Sequence, residues 1–313
     1  MAEVWVMGEM LVEIMRPGND VALYESGLFR GPFPSGAPAI FIDTVARLGH
    51  RAAMVGGVGK DDFGKCLLDR LIKDGVDCSK IMVSENKVTG VAFVTYFSDG
   101  SRKFIFHIGN TAAVEPQAPK VEDLEGIKFF HIMGCSLMAD PIFAGEIVKT
   151  MHMAKKMGAK VSFDPNIRKE LLRDTSAVPI IKEVFANTNI FLPGLEELLM
   201  ITEKTTLEEA IAFCFTYPEL EMVVVKNGSR GSSVYTRTDT FRMGIYPTEV
   251  VDTTGAGDSY DGAFICGLLE NKDLRSAAQM AAAAATLNTN AFGPMEGLIT
   301  PDSIKRIIEA HEA

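Results

Sequence analysis

The chain has 313 residues, is 47% hydrophobic and carries a formal net charge of −10. That is ample apolar material for a large buried core, and the acidity argues against nucleic acid or an anionic membrane surface as partner. Its five cysteines, Cys66, Cys78, Cys135, Cys214 and Cys266, are scattered with no Cys-x-x-Cys, which suits a reducing cytoplasm better than a disulfide framework or a zinc site.

In chain order, residues 4–7 read as a first strand rather than a signal peptide, since no basic segment precedes a long apolar core. No apolar run approaches membrane-spanning length. Residues 10–34 carry little helical signal. A helix is expected over 38–48, a strand over 52–55, and a helix over 63–73 that ends before Gly75. Residues 88–97 and 102–107 flank Ser98-Asp99-Gly100-Ser101 and read as a β-hairpin. A strand at 129–133 precedes a helix over about 141–157, stopped by Gly158. Further strands are expected at 160–163, 189–192 and 222–225. The last, Met222-Val223-Val224-Val225, suits a central strand.

Alternating strands and helices point to an α/β unit with a mostly parallel sheet covered on both faces. No Pro- or Ser-rich linker divides it, so 1–313 is expected to be one domain. Segments 10–34 and 88–107 break the rhythm and are expected to form a small sheet projecting over a site. The alanine run 281–285 is expected to be a helix packed closely on the large sheet.

Chemistry concentrates in Val251-Asp252-Thr253-Thr254-Gly255-Ala256-Gly257-Asp258. An apolar run ends at Val251, and 259–269 reads as a helix. Gly255, Ala256 and Gly257 therefore present uncovered N–H groups at a helix N-terminus, where orphan donors and the helix dipole favour an anion. Asp258 would be held beside that anion. A cradle for negative charge next to a base is what phosphoryl transfer to an alcohol requires. Two other patterns are rejected. Gly59-Lys60-Asp61-Asp62-Phe63-Gly64-Lys65-Cys66 has phosphate-loop spacing but ends in a residue with no hydroxyl for magnesium. Gly255-x-Gly257 lacks the third glycine of a dinucleotide fingerprint.

The 251–258 string resembles the second signature of the PfkB, or ribokinase-like, carbohydrate kinases. The first signature is matched by Ser35-Gly36-Ala37, a helical run ending Ala46-Arg47-Leu48-Gly49, and Val55-Gly56-Gly57-Val58-Gly59-Lys60-Asp61-Asp62-Phe63-Gly64. The resemblance runs from Gly8-Glu9 to about Gly297. It implies a three-layer α/β/α fold with a β-sheet lid that often mediates dimerisation, and hence a homodimer. It also implies ATP and Mg²⁺, with K⁺ as a further cation. In the catalytic roles, Asp258 is the implied base, and Gly255, Ala256 and Gly257 are the anion hole.

Carried over residue by residue, Glu13 accepts sugar hydroxyls, for which a carboxylate is suited because it accepts from two neighbours at once. Gly36 allows close approach of the sugar. Arg168, in Asp164-Pro165-Asn166-Ile167-Arg168, binds substrate or γ-phosphate. His107 stands where acid-sugar kinases of the family carry an arginine. Glu197 organises Mg²⁺ through water. Lys226, Gly228, Gly231 and Thr253 belong to the nucleotide site, and Asp252 and Thr254 to a monovalent-cation site. Two departures stand out: Ile40 and Gly194 replace asparagines usual in the family. For each side chain the plain alternative is structural: a strand-end Glu13, a salt-bridged loop Arg168, a solvated helix Glu197.

The reading is an ATP-dependent kinase of a neutral ketohexose, tagatose or fructose, because neither Glu13 nor His107 suits a carboxylate. The rival is a 2-keto-3-deoxygluconate kinase. A non-catalytic sugar- or nucleotide-binding regulator is opposed by the intact Asp258.

Overall fold

The computed structural model describes residues 1–168, 171 and 177–312. Its strands are β1 Val4–Met7, β2 Leu11–Asn19, β3 Arg30–Ser35, β4 Ala52–Gly59, β5 Asp77–Ser84, β6 Gly90–Tyr96, β7 Arg102–His107, β8 Phe129–Met133, β9 Lys160–Asp164, β10 Ile190–Phe191, β11 Met222–Lys226, β12 Ser232–Thr236 and β13 Thr240–Met243. Nine form a large sheet in the order β13-β12-β11-β10-β9-β8-β1-β4-β5. It is parallel except at the β11-β12-β13 edge.

Every residue of β1 is buried because parallel partners flank it and helices cover both faces. Successive side chains alternate between those faces. Val4 and Val6 pack with helices Ala37–Arg47, Ala256–Leu269 and Leu274–Thr289. Trp5 and Met7 pack with Pro141–Lys156, Ala177–Ala186, Leu195–Thr202 and Leu207–Cys214.

Helix Ala256–Leu269 has no polar face and is buried from Asp258 to Gly267. Two glycines let it approach its neighbours: a Cβ at Gly262 would lie 2.8 Å from the Phe41 carbonyl oxygen, and one at Gly267 would lie 2.7 Å from the Ala277 Cβ. The alanine run is part of the helix packed against it, Leu274–Thr289. The Gly255–Asp258 turn lies at the start of the first helix of this pair.

The remaining four strands form a small sheet, β3-β2-β6-β7. The β3–β2 and β6–β7 pairs are antiparallel, and β2–β6 is parallel. The expected hairpin is the β6–β7 pair, and 10–34 contributes β2 and β3.

Boundaries differ from the sequence reading at informative places. Helix Ala256–Leu269 starts three residues earlier than expected, because Gly255 at φ 81° turns the chain directly into it. Strand β4 continues through Gly59 to pair with β5. Strand β5 itself was not anticipated: it is an edge strand with mixed exposure, so hydrophobic alternation barely marks it.

Candidate active site

The carboxyl ends of the parallel strands converge on one cleft, the expected place for a ligand in an open α/β sheet. Beyond β1 lies Glu9, beyond β8 Cys135, beyond β9 Asn166 and Arg168. Asp164 and Lys226 end β9 and β11. The small sheet closes the other side with Leu11, Glu13, Arg102, Phe104 and Phe106. The cleft has a volume of about 220 Å³. A second cavity of about 440 Å³ lies alongside, walled by Ile245, Tyr246, Val250, Ala282, Ala285 and the β11–β12 turn. Arg102, Lys226, Thr253 and Gly257 line both. Two ligands would therefore meet at the Gly255–Asp258 turn.

That turn presents main-chain N–H donors at a helix start, where an anion would be favoured. Gly255 caps helix Ala256–Leu269, so Gly257 and Asp258 occupy its first turn and have no i−4 carbonyl to donate to. Ala256 is partly used, since its N–H reaches the Thr253 carbonyl at 3.3 Å. Gly255 tolerates no side chain: a Cβ would meet the Pro294 carbonyl at 2.6 Å.

Asp258 is 6% exposed and accepts a hydrogen bond from Asn166 Nδ2 at 3.0 Å. Burial, and then the negative charge of Asp164, push its carboxyl up to about 7, against the pull of Arg168 and Lys226. A base poised there is matched to a neutral cell. Glu13 is also raised to about 7 by burial, partly offset by its bond from Ser35 Oγ at 2.7 Å. Its Oε2 is buried without a partner among the described residues. An orphaned acceptor on the wall of a cleft awaits a donor such as a hydroxyl.

Lys226 does not stand free for a nucleotide. Its ammonium is held by Asp164 at 2.7 Å and Asp261 at 2.8 Å. Those carboxylates keep the lysine charged despite burial. Glu197 is fixed by N–H donors of Gly194 and Ile167, both at 2.7 Å. Burial and the nearby Asp164 raise its carboxyl.

The expected site residues sort as follows. Glu13, Gly36, Arg168, Glu197, Lys226, Thr253, Thr254, Gly255, Gly257 and Asp258 line the smaller cleft, together with Ile40. Gly228, Gly231 and Ala256 line the larger cavity. Asp252 lies behind the turn, accepting from Tyr96, from the Thr254 N–H and from the Gly293 N–H.

His107 is a correction. It is exposed on the outer face of β7, edge-on to Phe93 at 6.2 Å. A strand sends alternate side chains to opposite faces, so Arg102, Phe104 and Phe106 point in and His107 points out. The inward cation of this strand is Arg102, which the sequence reading missed. It also missed Asn166 and Tyr96. The two-residue period from Arg102 to Phe106 was a usable signal for the first. Nothing local marks the others.

Two cavities sharing one anion-binding turn, with a perturbed carboxylate beside it, define an enzyme that moves a charged group between two small molecules. The profile of the pfkB family carbohydrate kinases matches residues 32–301, and the chain belongs to that family. Probable fructokinase-3 of Arabidopsis thaliana is 34% identical over 304 residues, spanning 94% of this chain and 87% of that protein. A provisionally named ribokinase II from E. coli, solved with ATP and Mg²⁺, superposes with a TM-score of 0.93 at 39% identity, covering 99% of this chain and 100% of its own. The fructokinase of Vibrio cholerae O395, solved with fructose, ADP and a calcium ion, gives 0.84 at 25% identity, covering 98% and 99%. The architecture is the ribokinase-like α/β fold.

Proposed function

We propose that the protein transfers the γ-phosphate of ATP to a hydroxyl of a ketohexose of the fructose or tagatose type. The observation that carries this is Asp258, buried beside the Gly255–Gly257 turn where the two cavities meet. The sugar occupies the smaller cleft, with Glu13 as a polar contact and Gly36 in the adjoining wall. ATP occupies the larger cavity, its base against the apolar wall and its phosphates toward Gly228, Gly231 and Thr253. Asp258 accepts the proton of the sugar hydroxyl as that oxygen bonds to the γ-phosphorus. The bond to the β–γ bridging oxygen breaks, and ADP leaves with the electron pair. The Gly255 and Gly257 N–H groups, with Arg102 and Arg168, hold the charge on the transferred group.

Carboxylate oxygens suit a hard cation. Those of Glu197 each accept one main-chain donor and retain capacity for another. Glu197 and Asp164 would hold Mg²⁺, Glu197 through water, and the ion would neutralise phosphate charge. For K⁺ the fit is partial: the side-chain oxygens of Asp252 and Thr254 are engaged by Tyr96 and Arg102, so main-chain carbonyls would carry the coordination. No step is assigned to it.

We also take the chain as one domain whose small sheet, from about 10–34 and 88–107, is a lid. Its outer face exposes Ile105 at 42% and Phe29 at 37%, which supports a homodimer through that face. All five thiols are unpaired, in keeping with the cytoplasm. No helix among the described residues is long and apolar enough to cross a membrane.

The rival acid sugar keeps one specific support. Two arginines, Arg102 and Arg168, line the sugar cleft, and the outward placement of His107 removes half of the case against a carboxylate. The deciding experiment measures ADP release with fructose, tagatose and 2-keto-3-deoxygluconate at equal concentration. Higher kcat/KM for a ketohexose is expected; a preference for the acid would replace this reading with the rival.

A further inference from the structure

The small sheet is tied to the catalytic turn by one chain of hydrogen bonds. Arg102 on β7 donates from Nη1 to Thr254 Oγ1 at 3.2 Å. Thr254 Oγ1 lies 3.0 Å from the Tyr96 hydroxyl, and Tyr96 on β6 donates to Asp252 Oδ1 at 2.9 Å. Each hydroxyl has one proton. Since Tyr96 gives its proton to the carboxylate, Thr254 donates to Tyr96 and accepts from Arg102. Every link runs from a cation toward an anion, so each polarises the next.

The placement is specific. Tyr96 and Arg102 are directly paired across β6 and β7, so one end of one hairpin makes both contacts. Further along the same strand, Phe104 and Phe106 line the sugar cleft. At the other end, Asp252 also accepts from the N–H groups of Thr254 at 2.9 Å and Gly293 at 3.0 Å. One carboxylate therefore joins the small sheet, the turn that precedes Gly255, and the loop whose Pro294 carbonyl abuts Gly255.

We infer that Tyr96 is a positioning residue: its hydroxyl couples the seating of the small sheet over the sugar to the alignment of the turn that receives the transferred phosphate. Sugar bound against Phe104 and Phe106 holds the hairpin down. The hairpin end then fixes Asp252 and Thr254, and with them the Gly255–Asp258 donors. This rests on the kinase reading above.

The test is Tyr96→Phe, which keeps the ring and removes only the hydroxyl. With saturating fructose and ATP, kcat is expected to fall about tenfold, the scale of one lost buried hydrogen bond expressed in the transition state. The KM for ATP should stay within about twofold, and the melting temperature of the free protein should stay near that of the wild type. Thr254→Val breaks the same chain. Combined with Tyr96→Phe, it should cost little more than the worse single change. Wild-type kcat in Tyr96→Phe would overturn the inference. So would strictly additive losses, or a fall in melting temperature with ATP KM rising in proportion, which would mark a merely structural role. If the wild type shows no sugar-dependent turnover at all, the kinase reading falls first and the inference with it.

Discussion

Replacing Asp258 by Asn separates catalysis from stability in one variant. The change keeps shape and an acceptor oxygen for Asn166 Nδ2, which lies 3.0 Å away. It removes the only feature a base needs, and a lost general base costs about a hundredfold to ten-thousandfold in kcat. The same carboxyl is a burden on the fold. Its pKa is raised from 3.8 to about 7, chiefly by burial. A carboxyl raised in the folded state stabilises fully below its unfolded value, and that contribution is lost as pH rises through the folded value. Across roughly three units at about 1.4 kcal/mol each, the ionised group costs the fold on the order of 4 kcal/mol at pH 8. Asp258→Asn should therefore melt a few degrees above the wild type at pH 8, with the gain shrinking toward pH 4. Steady-state kinetics and melting curves at pH 4, 6 and 8 measure both. In the wild type, kcat/KM should fall about tenfold per unit below pH 7. Near-normal turnover in the variant, or a pH profile flat from 5.5 to 8.5, would refute the assignment of the base.

Glu13→Gln still meets Ser35 but loses the charge-bearing acceptor, so kcat/KM for fructose should fall about tenfold or more with the ATP KM unchanged; an equal effect on both substrates would place Glu13 outside the sugar site. Gly255→Ala forces a side chain into φ 81° and to within 2.6 Å of the Pro294 carbonyl, so turnover should drop at least about tenfold while circular dichroism stays native. Arg70→Met removes one of two arginines facing Asp43, which is 1% exposed and raised to about 7 by burial against the pull of Arg70 and Arg47. It also takes a donor from Asp74 and from Glu296, while the Met295 carbonyl keeps Arg47 Nη1 at 3.1 Å. The loss should be about 3 kcal/mol by urea titration at pH 8 and smaller at pH 6, where Asp43 can take up a proton.

The sequence by itself determined the features that are local. The order of strands and helices follows from hydrophobic period and length, and the ends of β1 and β8 agree with it to the residue. The glycine turn was legible because glycine readily takes the positive φ that Gly255 adopts at the helix start, and Asp258 follows at a fixed offset; the strand expected before it is absent, since β13 ends at Met243. What only the tertiary structure decided are matters of facing and partnership. A two-residue period says that Arg102 and His107 oppose each other, but not which one looks inward; docking of the small sheet on the cleft settles that in favour of Arg102. Lys226 reads only as part of the nucleotide site from its place after the strand; the fold adds that β9 and helix Ala256–Leu269 bring Asp164 and Asp261 to its ammonium. Asn166 stands 92 residues from Asp258, and Tyr96 stands 156 from Asp252. No local pattern encodes such pairs, because each depends on where packing of the whole core sets two backbones a hydrogen bond apart.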